Sequence, residues 1–167
     1  MRALLVKISR RYLRGIVKES VSKSPGSSQP VVFSSDLDPS MNVVVIYPED
    51  DRYEEVAPIF NQKGHAFLAN ESIMVVDGAA LGESWFTTDH LSVIQAHELG
   101  HKRAGHVGIP NHNDPVMEKE ADWIGYNILK NRGMSAADLH EEEYEARYGS
   151  LPQEDDYLMT HLTEYIS

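Results

Sequence analysis

Apolar residues follow a helical period in some stretches of this chain and an alternating or continuous pattern in others, and the switches divide it into elements. Residues 1–20 place Leu5, Ile8, Tyr12 and Ile16 at helical spacing with basic residues round the other side, which predicts an amphipathic basic helix. Residues 21–40 read as a Ser/Pro/Gly linker, densest over 20–30, with Val31-Val32-Phe33 as a short strand inside it. The organised domain is then expected at 41–167. Residues 42–47 predict a strand that Pro48 ends. Over 50–63, Tyr53, Val56, Ala57 and Phe60 mark one helical face; Pro58 removes a backbone donor from its middle and Gly64 closes it. Two strands follow at 65–69 and 72–76, joined by Asn70-Glu71 as a hairpin turn, and their sheet is expected to lie over the next helix.

That helix is the centre of the pattern. After a loop over 77–86 carrying Gly78, Gly82 and Trp85, Thr88 is the expected N-cap of a helix reaching about Gly105, buried through Leu91, Ile94 and Leu99. A loop over 107–113 contains Pro110 and His112. Asp114 then caps a helix with Pro115 at its first position, and Asn131-Arg132-Gly133 supplies the stop. Ser135 opens a further helix to about Tyr148, and 154–165 predicts a last one.

With 167 residues and 41% hydrophobic content, the chain has enough material for one domain with a modest core. Its longest aliphatic run, Val43-Val44-Val45-Ile46, is far below the roughly 20 residues a membrane span needs, so no transmembrane segment is expected. The absence of cysteine removes disulfides and thiolate metal sites; it fits a cytoplasmic location, with an organelle matrix or a virion as alternatives. Charge is split. Residues 1–23 hold seven bases and one acid, whereas the rest holds eight bases and 25 acids. So acidic a body disfavours nucleic acid as a partner of the main domain. The basic segment suits docking on that body or on a larger protein assembly, with a membrane-surface helix or an organelle transit peptide as competing readings. Glu141-Glu142-Glu143 reads as a solvated helix face.

Candidate chemistry concentrates in Gln95-Ala96-His97-Glu98-Leu99-Gly100-His101. Two histidines four apart share one helix face, so both imidazoles can reach one tetrahedral cation while Glu98 flanks the open position. Zinc hydrolases use this spacing, because zinc on three protein ligands keeps a place for water, lowers its pKa to about 7 and polarises a carbonyl. A neighbouring carboxylate then takes the proton.

A third ligand is required. The metzincin continuation puts a glycine three residues and a histidine six residues after the second histidine, but Ala104 and Val107 stand there. His106, five residues past His101, lies about 140° round the helix and is expected to cap or pack at its end rather than bind metal. The other continuation needs a carboxylate on a second helix, and Glu118-Lys119-Glu120-Ala121-Asp122 offers one. Glu118 and Asp122 share a face, so Glu118 can bind metal while Asp122 accepts a ligand's ring N–H. Glu120 points about 200° away from Glu118 and is the fallback ligand.

These residues, Ala96-His97-Glu98-Leu99-Gly100-His101, then His106, then Glu118-x-Glu120-Ala121-Asp122-x-x-Gly125, resemble the gluzincin peptidases that include the membrane heat-shock protease and the CAAX-prenyl protease, and most of all their soluble single-domain relatives, the minigluzincins. The likeness extends to Ala66-Phe67-Leu68, to Ile73-Met74-Val75-Val76-Asp77-Gly78 and to Arg132-Gly133-Met134-Ser135, covering roughly residues 42–148. It implies Glu118 as third zinc ligand and Glu98 as general base. Two departures, the missing transmembrane helices of the larger members and a short gap between His101 and Glu118, point away from membrane-protein substrates. A looser likeness, to leaders on some tailed-phage proteins, attaches to residues 8–19.

The expectation is therefore an α+β, zincin-like domain: a small mixed sheet over the His-Glu-x-x-His helix, with C-terminal helices. One zinc ion would sit on His97, His101 and Glu118, with Glu98 as base and Asp122 orienting a histidine. Ser72, Ile73, Met74 and Val75 are the expected substrate-binding edge strand, holding an extended peptide or protein substrate. His106, His112, Tyr126 and His161 are candidates for stabilising the oxyanion. A non-catalytic metal-bearing component of a larger assembly, such as a phage particle, and a zinc hydrolase of non-peptide amides are the competing classes.

Overall fold

The computed structural model describes residues 30–109 and 114–152. The expected N-terminal helix, residues 21–29 of the linker, His112, His161 and the expected helix at 154–165 lie outside them.

Valine and isoleucine fill two strands almost without interruption, and such runs suit strands covered on both faces. Four strands form one mixed sheet: β1 (Val31–Ser34), β2 (Asn42–Ile46), β3 (Ala66–Asn70) and β4 (Ile73–Asp77). Their order is β1-β2-β4-β3, with β2 and β4 parallel and both outer strands antiparallel to their neighbours. Helix α1 (Tyr53–Lys63) covers one face, where Val56 and Phe60 meet Val44, Ile46, Phe67 and Val75. The other face carries Val43, Val45, Met74 and Val76 against three helices: α3 (Thr88–Arg103), α4 (Pro115–Asn131) and α5 (Ala136–Tyr148). Leu99 and Ile124 are central there, and each full burial contributes about 1.5–3 kcal/mol. A single-turn α2 (Gly78–Leu81) breaks the expected loop before α3. This is an α+β arrangement, and among the described residues no helix is long and apolar enough to cross a membrane.

Three sequence expectations need correction. First, β4 is hydrogen-bonded on both sides, to β2 and to β3, so Ser72, Ile73, Met74 and Val75 do not offer a free edge. Their continuous apolar character, with Ile73, Met74, Val75 and Val76 all buried, is that of an inner strand. The outer strands are β1 and β3. Second, the domain begins before residue 41. β1 pairs with β2, Leu37 and Met41 are buried, Arg132 donates to the carbonyls of Asp36 and Leu37, and Lys102 pairs with Asp38. Third, the cap of α3 is Thr87, not Thr88; its hydroxyl accepts from the His90 amide while His90 Nδ1 accepts from the Thr87 amide. The Asp114 cap with Pro115 behind it, and the stop at Gly133, stand where the residues placed them.

Two glycines set how near α3 and α4 approach. A Cβ on Gly100 would stand 2.2 Å from the Ala121 carbonyl oxygen, and one on Gly125 would stand 2.9 Å from the Ala96 carbonyl. Backbone thus meets backbone at two places along the helix pair, one turn apart on each helix. That contact brings the first turns of α4 beside the middle of α3.

Candidate metal centre

His97 and His101, one turn apart on α3, turn their Nε2 atoms toward each other at 3.1 Å. Glu118, in the first turn of α4, completes the group: Oε2 lies 3.4 Å from His97 Nε2 and Oε1 lies 3.5 Å from His101 Nε2. One ligand atom from each lies within 4.8 Å of the other two, so the three can hold a metal ion. The fit is chemical as well as geometric. A tetrahedral ion with bonds of about 2.0–2.1 Å has ligand atoms about 3.3 Å apart. The three separations straddle that value. Glu118 is the most open of the three at 32% side-chain exposure, which leaves the cluster accessible on one side.

The outer nitrogen atoms are engaged too. His97 Nδ1 lies 2.7 Å from Asp122 Oδ1, which fixes the ring so that Nε2 faces inward. Asp122 is itself buried, and its second oxygen accepts from Arg147 at 2.6 Å and from the Tyr148 hydroxyl at 2.7 Å. Burial opposes ionisation of Asp122, yet the His97, Arg147 and Tyr148 contacts hold its carboxyl below the usual range. His101 Nδ1 lies 3.0 Å from His106 Nδ1, and His106 Nε2 lies 3.0 Å from Glu120 Oε2.

Charge around the cluster favours a cation. Burial works against a charged His97, but hydrogen bonds to Asp122 and Glu118 push its pKa up to about 10. The same contacts, from His101 and His97, hold the Glu118 carboxyl far below its ordinary value despite partial burial. A metal ion seated on His97 Nε2 would displace any proton carried there. Glu98 is buried and is not one of the three donors. Burial raises its pKa, Glu118 adds to this, and His97, His101 and Lys63 oppose it. A carboxylate so placed is suited to take up a proton.

The structure therefore brings together His97, His101, Glu118, Asp122 and Glu98. It does not bring the described oxyanion candidates to the open side. Tyr126 is buried and donates to Glu141 at 2.6 Å, and His106 stands behind His101. Glu120, the fallback ligand, is spent on His106. Sequence reasoning missed Arg147 and Tyr148 altogether. The one available signal was indirect: a buried carboxylate bound to a histidine has a second oxygen to satisfy. Nothing in the spacing said which helix would satisfy it.

Tyr148 yields a direct prediction. Tyr148→Phe removes one hydrogen bond to an ionised, buried carboxylate and is expected to destabilise the metal-free protein by about 1.5 kcal/mol in urea denaturation. An unchanged midpoint would show that the hydroxyl contributes nothing to holding Asp122.

A scan against protein-family models finds no match, and neither do comparisons with curated proteins and with solved structures.

Proposed function

We propose that this chain is a zinc-dependent peptidase of the gluzincin kind, with a zincin-like arrangement of helix and sheet. The observation that carries the reading is the convergence of His97 Nε2, His101 Nε2 and a Glu118 oxygen, with the buried Glu98 beside them. Two imidazoles and one carboxylate, with no thiolate in the chain, suit zinc better than the oxygen-preferring magnesium or calcium. Bound there, zinc would supply a Lewis acid and a water acidic enough to ionise near pH 7. Glu98 would accept the proton of the attacking water on its carboxylate and pass it to the leaving amide nitrogen. Asp122, backed by Arg147 and Tyr148, would keep His97 in the tautomer that offers Nε2.

A peptide is favoured over smaller amides by the corrected sheet order. β3, not β4, is the outer strand on this side; it packs on α3, and Lys63 just before it is close enough to feel the charges of Glu98 and Glu118. An extended peptide added along β3 would receive main-chain hydrogen bonds beside the metal ligands.

The test is zinc content by atomic absorption together with cleavage of casein or a peptide library, before and after chelation. The expected result is one zinc per chain, with cleavage that a chelator removes and zinc restores. Stoichiometric zinc without any cleavage would overturn the peptidase reading and favour a non-catalytic metal-bearing component. Cleavage of acyl-amides but not peptides would replace the substrate class.

A further inference from the structure

We infer that His106 and Glu120 are positioning residues for His101, forming a chain in which an imidazole stands between the metal-ligand histidine and a carboxylate. The inference rests on the reading of His97, His101 and Glu118 as a metal centre. It begins with how α3 ends. Gly105 has φ 73°, a left-handed conformation that L side chains rarely adopt. Across it the His106 amide donates to the His101 carbonyl at 2.9 Å, and the Gly105 amide donates to the Lys102 carbonyl at 3.2 Å. Those two bonds define a Schellman stop, in which the residue after the left-handed glycine folds back against the residue five positions earlier. That contact is frequently between two apolar side chains. Here it is between His106 and His101, with ring centroids 5.2 Å apart at 61°. The same backbone motif ends α4, where the Met134 amide reaches the Leu129 carbonyl across Gly133 and the paired side chains are apolar.

The proton positions follow from the distances. If His101 offers Nε2 to a cation, its hydrogen is on Nδ1. That N–H then points at His106 Nδ1, 3.0 Å away, so His106 must present a lone pair there and carry its own hydrogen on Nε2. Glu120 Oε2, 3.0 Å from His106 Nε2, accepts it. Each group can satisfy only one role in this order, so the Glu120 oxygen selects the tautomer of His106 and His106 selects that of His101. His106 is 6% exposed, so water does not substitute for these partners. The two ligand histidines are held differently: His97 directly by a carboxylate, His101 through an intervening ring. The helical wheel of α4 permits this, because Glu118 and Glu120 are about 200° apart and one turn can serve the cluster and the back of His101 together.

The test measures zinc affinity by competition with a chromophoric chelator for the full chain and for His101→Ala, His106→Ala, His106→Asn and Glu120→Ala. The ring N–H proton resonance of His101 is followed in the zinc-loaded proteins, and circular dichroism checks the fold. His106→Ala is expected to weaken zinc binding about 10–100-fold and to lose that resonance to solvent exchange. Glu120→Ala is expected to shift both in the same direction. His106→Asn, whose carbonyl can accept the His101 N–H, is expected to recover most of the affinity. If His106→Ala alters helix content, Glu120→Ala carries the test, since it leaves the turn and His106 in place. Zinc affinity and the His101 resonance unchanged in a folded His106→Ala, while His101→Ala abolishes binding, would overturn this inference and leave the metal centre standing. Wild-type affinity retained in His101→Ala would overturn both.

Discussion

Glu98→Gln is expected to lower kcat for peptide hydrolysis by about 10²–10⁴-fold, the usual contribution of a general base, while zinc content stays at the wild-type level. The separation of the two readouts follows from geometry. The cluster that can hold the ion is made by His97, His101 and Glu118. Glu98 lies beside it, buried, with its charge coupled to His97, His101, Glu118 and Lys63. Glutamine keeps the volume and one acceptor oxygen but cannot take the proton of an attacking water. A carboxylate that acts as the proposed base does so in the transition state, so kcat and kcat/KM should fall together. Retention of most of the activity would remove Glu98 from the mechanism. Loss of zinc along with activity would show instead that the residue holds the site together.

The second large effect is expected at a residue that handles no proton. Gly100→Ala would put a methyl group 2.2 Å from the Ala121 carbonyl oxygen and 2.9 Å from its carbonyl carbon and Cα, all of them backbone atoms that no rotamer change can move. Overpacking of this kind costs about 1–3 kcal/mol. Relief requires α3 and α4 to separate, and Glu118 lies three residues before Ala121 on the helix that must move. Gly100→Ala should therefore lose zinc affinity on the order of tenfold or more, a loss comparable to removing an outer partner of a ligand, as well as stability. Gly82→Ala is the control: its φ is −82° and the nearest contact for a new Cβ is an ordinary 3.5 Å. It should leave urea midpoint and zinc affinity close to wild type. Equal behaviour of the two variants would refute the claim that close backbone approach sets the cluster.

Both predictions draw on contacts of unequal legibility. The pairing of His97 with His101 and of Glu118 with Asp122 could be read from spacing, because residues four apart on a helix share a face wherever that helix is placed. The caps at Asp114 and Gly133 were legible for a similar reason: each is local chemistry at one end of one element. The edge strand was misread because alternation and length describe a strand but not its neighbours. The continuous apolar run of Ile73-Met74-Val75-Val76 was the signal that both faces are covered, and covered faces accompany an inner position. The start of the domain was misread because serine and proline around Val31-Val32-Phe33 resemble linker, while the contacts that tie it down are long-range, from Arg132 and Lys102.

By itself, then, the amino-acid order determined which side chains share a helix face, where most helices begin and stop, and that any metal must be held by nitrogen and oxygen. Only the packed chain decided that Gly100 and Gly125 let two helices touch, that β3 and not β4 is the outer strand beside α3, and that Asp122 and Glu120 hold the backs of two histidines by different routes. The division has one cause. Periodicity is imposed by local backbone geometry within a single element, whereas the partners of a buried polar atom are chosen by whichever distant segments compete to exclude water from it.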